Sequence, residues 1–166
     1  MNSPVVSSSD NNMSEIPSLL IPMAGNKLVL PTVSVAEMTP YQAPQAHQPV
    51  TAEAIPDWYL GSLSWRGVMV PMISYEMLND GHLAEIRPES QVIILNNTGV
   101  SEQLPFLCLP TQGIPRLSRV AVNEISQNTQ SVLNEYDQMH VFVAGEEAVI
   151  PDVGKLEQTC INLLGY

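Results

Sequence analysis

The side chains able to do chemistry are few and scattered. Three histidines, two cysteines and one adjacent glutamate pair are the places where acid–base, metal or thiol chemistry could be built. His47 lies in a proline-rich stretch, His82 follows a turn, and His140 opens an apolar run. None stands at ligand spacing from Cys or Asp, so all three read as surface or boundary residues. Cys108 and Cys160 are far apart in sequence and read as two buried thiols rather than a disulfide. Glu146 and Glu147 fall at an expected hairpin tip, where neighbours point apart into solvent. No phosphate-binding glycine loop, nucleophile elbow or HExxH pattern is present. What remains is Arg66, one of six basic residues in a chain of net charge -11. Trp58, Tyr59 and Trp65 stand close by, and arginine with aromatics is a combination enriched at interface hot spots. The plainer alternative is that Arg66 caps its turn or pairs with a surface carboxylate, a contact worth about 0–1 kcal/mol.

The composition favours contact over catalysis. The chain has 166 residues, enough for one domain with a sizeable core. Charged residues make up only 14%, against about 25% in typical soluble domains. Fourteen prolines exclude a bundle of long helices and favour many short elements. The acidic balance excludes nucleic acid, whose phosphates require clustered Lys and Arg, and works against anionic lipid. No apolar run approaches the roughly 20 residues needed to span a bilayer, and the first residues lack signal-peptide character. The expected location is the cytoplasm.

The elements that must position Arg66 are short strands. Residues 1–14 are polar and read as a disordered tail, with one domain over 15–166. Leu19–Ile21 and Lys27–Leu30 form a hairpin about Ala24–Asn26, followed by an extended path through Val33, Val35 and Met38. Thr39–Pro56 is a long proline-punctuated loop. Tyr59–Ile73 is the next hairpin: Gly67 suits a turn needing positive φ, Val68, Val70 and Ile73 suit a strand, and Pro71 demands an edge or a bulge. A helical turn from Glu76 stops at Asn79–Gly81. Val92–Leu95 pairs with Phe106–Leu109 across Asn96–Gly99. The segment Ile114–Ile125 fits helix or strand: Arg116 and Arg119 share a face in the first and oppose in the second. Val141–Ala144 and Ala148–Ile150 form a hairpin tipped by Gly145–Glu147. A last helix puts Val153, Leu156, Cys160 and Leu164 on one face, with Lys155, Glu157, Gln158 and Asn162 elsewhere, and ends at Gly165. About eight strands and a final helix make an all-β protein, a sandwich or small barrels.

The run from Gly61 to Ile73, GSLSWRGVMVPMI, resembles the CheW-like family, whose members carry a glycine, an apolar pair, an LRG turn and a VVPVIDL strand. Leu28–Pro31 followed by Val35–Met38, the strand Gln91–Leu95, the hairpin Val141–Ile150 and the last helix are similar to further family segments in the same order. The resemblance implies two small intertwined SH3-like β-barrels with a core between them. It implies a non-enzymatic adaptor without cofactor or metal, coupling methyl-accepting chemoreceptors to the regulatory domain of a CheA-like histidine kinase in membrane-associated receptor arrays. That regulatory domain shares the fold and pairs with the adaptor barrel to barrel. The implied partner-binding residues are Val35, Glu37, Trp65, Arg66, Gly67, Val68 and Val70. Trp65 replaces an aliphatic residue, Ser74 replaces the aspartate of the VIDL segment, and Leu107–Thr111 lacks the usual glycine. These departures suggest a divergent member serving a chemosensory system for type IV pili and twitching motility. The rival expectation is a small β-barrel enzyme or ligand-binding protein using a pocket between the barrels. A third is a competitor that occupies the adaptor's place without activating the kinase.

Overall fold

The computed structural model of the protein describes residues 14–46, 49 and 53–166. The expected tail and His47 therefore lie outside the described residues, apart from Ser14. One sheet contains β1 (Glu15–Pro22), β2 (Lys27–Pro31), β8 (Arg116–Ala121), β9 (Ile125–Gln127), β10 (Asp137–Val143) and β11 (Glu146–Pro151), in the order β8-β1-β2-β11-β10-β9. The other contains β3 (Val35–Pro40), β4 (Tyr59–Trp65), β5 (Val68–Ile73), β6 (Gln91–Asn96) and β7 (Phe106–Pro110), in the order β3-β6-β7-β5-β4. The chain starts in the six-stranded sheet, builds the five-stranded one, then returns. The two small barrels are intertwined for that reason. Each sheet has one parallel contact, β2 with β11 and β5 with β7; all other pairs are antiparallel.

Three apolar clusters fill this frame. Leu20, Val29, Val141 and Val143 are central to the six-stranded barrel. Leu63, Val70, Met72, Val92 and Ile94 are central to the five-stranded one. The largest cluster lies between them and includes Ile21, Leu28, Ile73, Tyr75, Ile93, Leu107 and Leu109, closed by Leu156 and Cys160 of the C-terminal helix α2 (Val153–Leu164). The pocket between barrels that the rival reading requires is thus occupied by packed side chains. Asp152 caps α2, accepting from Lys155 N at 3.1 Å, and Gly165 ends it at φ 78°.

The hairpin turns follow from backbone chemistry. In β4–β5 the two turn residues are Arg66 and Gly67, at φ 47° and 75°, and in β10–β11 they are Ala144 and Gly145, at 48° and 81°. Positive φ at both central positions matches the two-residue turn whose twist suits a β-hairpin. The second tip is therefore Ala144–Gly145, and Glu146 and Glu147 belong to β11.

Several expectations are corrected. Among the described residues there are eleven strands rather than eight. The ambiguous Ile114–Ile125 is extended over β8, so Arg116 and Arg119 point to opposite faces; its mixed pattern reflects an edge strand exposed over much of its length. Pro71 sits in β5, an interior strand, opposite Ser62. Counted back from the two-residue turn, that pair is a non-hydrogen-bonded one, so the missing N–H costs β4 no bond. Glu157, expected on the solvent side of α2, is 1% exposed and accepts from Thr98 N at 2.7 Å and Thr98 Oγ1 at 2.6 Å. A buried carboxylate with two donors ties the loop after β6 to α2.

Candidate partner-binding surface

The tip of β4–β5 brings together three of the seven residues that the sequence singles out. β3 and β4 are the two edges of the five-stranded sheet, and Glu37 of β3 reaches across to Trp65 and Arg66. Its carboxylate accepts from the Trp65 indole N–H through one oxygen and from the Arg66 guanidinium through the other, at 3.3 Å. The guanidinium also lies 5.0 Å from the Trp65 ring centroid. Trp65 in turn meets Phe106 edge-on at 4.9 Å. The hydrogen bond from Trp65 does most to hold the Glu37 carboxyl below its ordinary pKa; burial opposes it, and the charge and hydrogen bond of Arg66 add smaller lowering effects.

Local irregularities aim these groups. The β3–β6 register shifts between Val35 and Glu37, leaving Ala36 as an extra residue, and the β4–β5 register shifts between Tyr59 and Gly61. Gly61, at φ 126°, lies so close to the preceding loop that a Cβ there would sit 2.3 Å from Gln45 O. Gln45 and Ser62 exchange backbone bonds of 2.8 and 2.9 Å, which covers the outer edge of β4.

The remaining candidates are placed differently. Gly67 supplies the turn, Val68 is half-buried beside the five-stranded barrel's core, and Val35 packs on the central core. Val70 is 0% exposed and has no surface to offer a partner, so it belongs to the core and not to a contact. Ser74 caps α1 (Tyr75–Asp80), its hydroxyl accepting from Met77 N at 3.1 Å. Serine and aspartate are equivalent in that role, so this substitution leaves the helix start intact.

A second polar cluster escaped the sequence reading, which left the histidines without Asp partners. Asp137, its side chain fully buried, accepts from Tyr75 Oη, Asn79 Nδ2 (3.0 Å), Asn134 N (3.0 Å) and His140 Nε2 (2.8 Å). His140 also contacts Ser131 Oγ through Nδ1. Regular alternation would put residues 137 and 140 on opposite faces; a register shift between Asp137 and Met139 puts them on one. Burial pushes the Asp137 pKa up, but hydrogen bonds from Tyr75, His140 and Asn134 outweigh it and hold the carboxyl below its ordinary range. His82 likewise has Asp80 at 3.3 Å, in solvent. Among the described residues no group of three or more His, Cys, Asp or Glu could hold a metal ion. Both cysteines are free, buried thiols, and burial pushes Cys160 up to about 12. No helix among the described residues is long and apolar enough to cross a membrane.

Two intertwined barrels, a displayed arginine turn and a helix over the central core define a protein of the two-barrel scaffold class. The CheW-like domain matches residues 17–159, and the chain belongs to that family. Its fold is similar to that of the scaffolding protein TtCheW from Thermoanaerobacter tengcongensis, at TM-score 0.67 and 12% identity over 86% of this chain and 87% of that one. No curated protein sequence matches the chain.

Proposed function

We propose that the chain is a non-enzymatic coupling protein that joins methyl-accepting chemoreceptors to the regulatory domain of a CheA-like histidine kinase. The carrying observation is Arg66. A left-handed backbone costs a non-glycine residue about 1–2 kcal/mol, and Asn or Gly would serve this turn better. Ala144 takes the same backbone in the other hairpin turn, and what sets Arg66 apart is a guanidinium that remains 69% exposed while Glu37 and Trp65 fix its direction. That is the design of a contact point, and Arg66, Glu37, Trp65, Gly67 and Val68 form the receptor-facing surface.

The kinase-facing surface is the apolar mouth of the six-stranded barrel. A groove of about 260 Å³ opens there between Ile16, Val29, Val120, Val122, Ile125 and Ile150. Val122 is 70% exposed at its rim. A domain of the same fold docking on this mouth would bury the roughly 800 Å² per partner of a stable contact. The departures at Trp65 and Leu107–Thr111 favour a pilus and twitching-motility system, whereas Ser74 has no bearing on the choice.

Purified chain is titrated separately with the kinase regulatory domain and with a receptor signalling fragment. Val122→Asp is expected to lose the kinase domain alone, and Arg66→Glu the receptor alone. Absence of binding to either at tens of micromolar, by a chain shown to be folded, sinks the proposal.

A further inference from the structure

We propose that the outer edge of β8 accepts one further strand, an extended segment of a partner protein that carries an acidic residue two places before an aliphatic one. β8 ends the six-stranded sheet and pairs only with β1. Which of its backbone groups are already spent follows from the register. Antiparallel partners exchange N–H···O bonds at every second pair. Met23 N donates to Asn26 O at 2.9 Å, so counting back along β1 turns the backbone groups of Ile21 and Leu19 toward β2 and those of Leu20 and Ser18 toward β8. Pro31 and Pro17, which have no N–H, both then fall at pairs that need none. Arg116 and Ser118, opposite Leu20 and Ser18, are bonded to β1, while Leu117 and Arg119 turn N–H and C=O outward. The next outward N–H, of Ala121, is capped by the Glu124 carboxylate at 3.0 Å. No described residue bonds the backbone of Leu117 or Arg119 on that side. The edge of β4, by contrast, is covered by Gln45. Both open residues are exposed, Leu117 by 63%.

Two outward residues spaced by two offer the donors and acceptors that an added strand uses. Charge selects the occupant. Leu117 and Arg119 share one face of the strand. Arg119 has no ion pair among the described residues, although the chain has a net charge of -11. Arg116, on the opposite face, is held by Glu146 at 2.5 Å. A second copy of β8 would bring its own arginines to this edge, and like charges facing across strands are destabilising. An acidic strand gains where that copy loses. Laid antiparallel, it sets a carboxylate opposite Arg119 and, two residues later, an aliphatic side chain opposite Leu117. Backbone bonds supply the affinity and these two side chains the selectivity. Val120 and Ala121, the last residues of β8, line the groove assigned above to the kinase domain, but this edge does not depend on that assignment.

The test is amide hydrogen exchange of the full chain, read by NMR during titration with end-blocked peptides of sequence Thr-Glu-Thr-Val-Thr and Thr-Lys-Thr-Val-Thr, up to millimolar concentration at fixed ionic strength. In the free chain the Leu117 and Arg119 amides should exchange fast and that of Ser118, bonded to β1, slowly. The acidic peptide should slow Leu117 and Arg119 together and saturably, about tenfold when about nine-tenths of the edge is occupied, because exchange then proceeds only from the open form. Arg119→Ala, at an exposed position, should weaken the acidic peptide about fivefold, the upper end of a cross-strand charge pair. Arg119→Glu should reverse the preference in favour of the lysine peptide. Equal binding of both peptides by the native chain would overturn the proposal, as would shifts without slowed exchange, which mean a charge contact and no added strand. Leu117 and Arg119 amides already protected in the free chain, more so at higher protein concentration, would make a second copy the occupant and overturn it. No response to the acidic peptide would overturn it too.

Discussion

Replacing Asp137 by asparagine should weaken the protein more than any other single-atom exchange in its polar groups. The carboxylate accepts four hydrogen bonds, and it links β10 of one barrel to Tyr75 and Asn79 of α1, which follows the other. An amide keeps one acceptor oxygen and turns the other position into a donor. Turned one way, its N–H faces Asn79 Nδ2, whose amide is fixed because Asn79 Oδ1 accepts from Tyr136 N at 2.9 Å. Turned the other way, it faces the backbone N–H of Asn134, which cannot reverse. One charge-assisted bond is lost and one buried donor meets another, about 3–5 kcal/mol together. In a chain of this size that is a fall in Tm of about 10 °C. Urea unfolding followed by fluorescence of Trp58 and Trp65 measures it. The pH dependence gives a second reading. The folded pKa of Asp137 is lowered, so its contribution is fully present above the ordinary aspartate range near pH ~4. It is lost as pH falls through the lower folded value, and the gap between native protein and Asp137→Asn should shrink only there. A gap below about 1 kcal/mol at neutral pH, or one that does not change in acid, refutes the hub assigned to Asp137.

Other outcomes follow from the same contacts. Trp65→Leu, the aliphatic choice, removes the edge contact with Phe106, worth about 1 kcal/mol, and should let the Glu37 pKa rise toward its ordinary value, read by carboxyl NMR. Glu76 is 4% exposed, and burial raises its pKa although its Oε1 accepts from Ala24 N at 3.1 Å. A raised carboxyl loses stability as pH climbs from the ordinary range through the raised value, so Glu76→Gln should be at least as stable as native protein at pH ~7 and gain on it steadily from pH ~4 upward in urea titrations. Cys108 and Cys160 are both 0% exposed with pKa values raised by burial, so an aromatic disulfide reagent should label neither until urea unfolds the chain, and then both at one midpoint.

What the sequence makes legible is what local chemistry dictates. Gly67 announces a turn, and the structure puts the turn at Arg66–Gly67. The apolar spacing of the last helix places Leu156 and Cys160 in the central core. The misses share a cause, which is an extra residue or a long-range partner. Bulges beside Glu37 and Asp137 re-aim those side chains against strict alternation, so neither the Glu37–Trp65 bond nor the Asp137–His140 pair can be read from spacing. Glu157 lies on a helix flank that is polar by sequence but covered by Thr98, 59 residues earlier. Val70 is a contact residue only by the family resemblance, and alternation within β5 points it into the barrel.

The central claim is that the arginine turn transmits receptor state to a kinase, and a rigid link without differential contacts would shift nothing. The most direct measurement is kinase phosphorylation in a reconstituted mixture of receptor signalling fragments, kinase and this chain. Native chain should make the phosphorylation rate depend on receptor state. Arg66→Glu, folded and with an unchanged Tm, should abolish that dependence. An identical rate with native chain, with Arg66→Glu and with no chain at all would contradict the account.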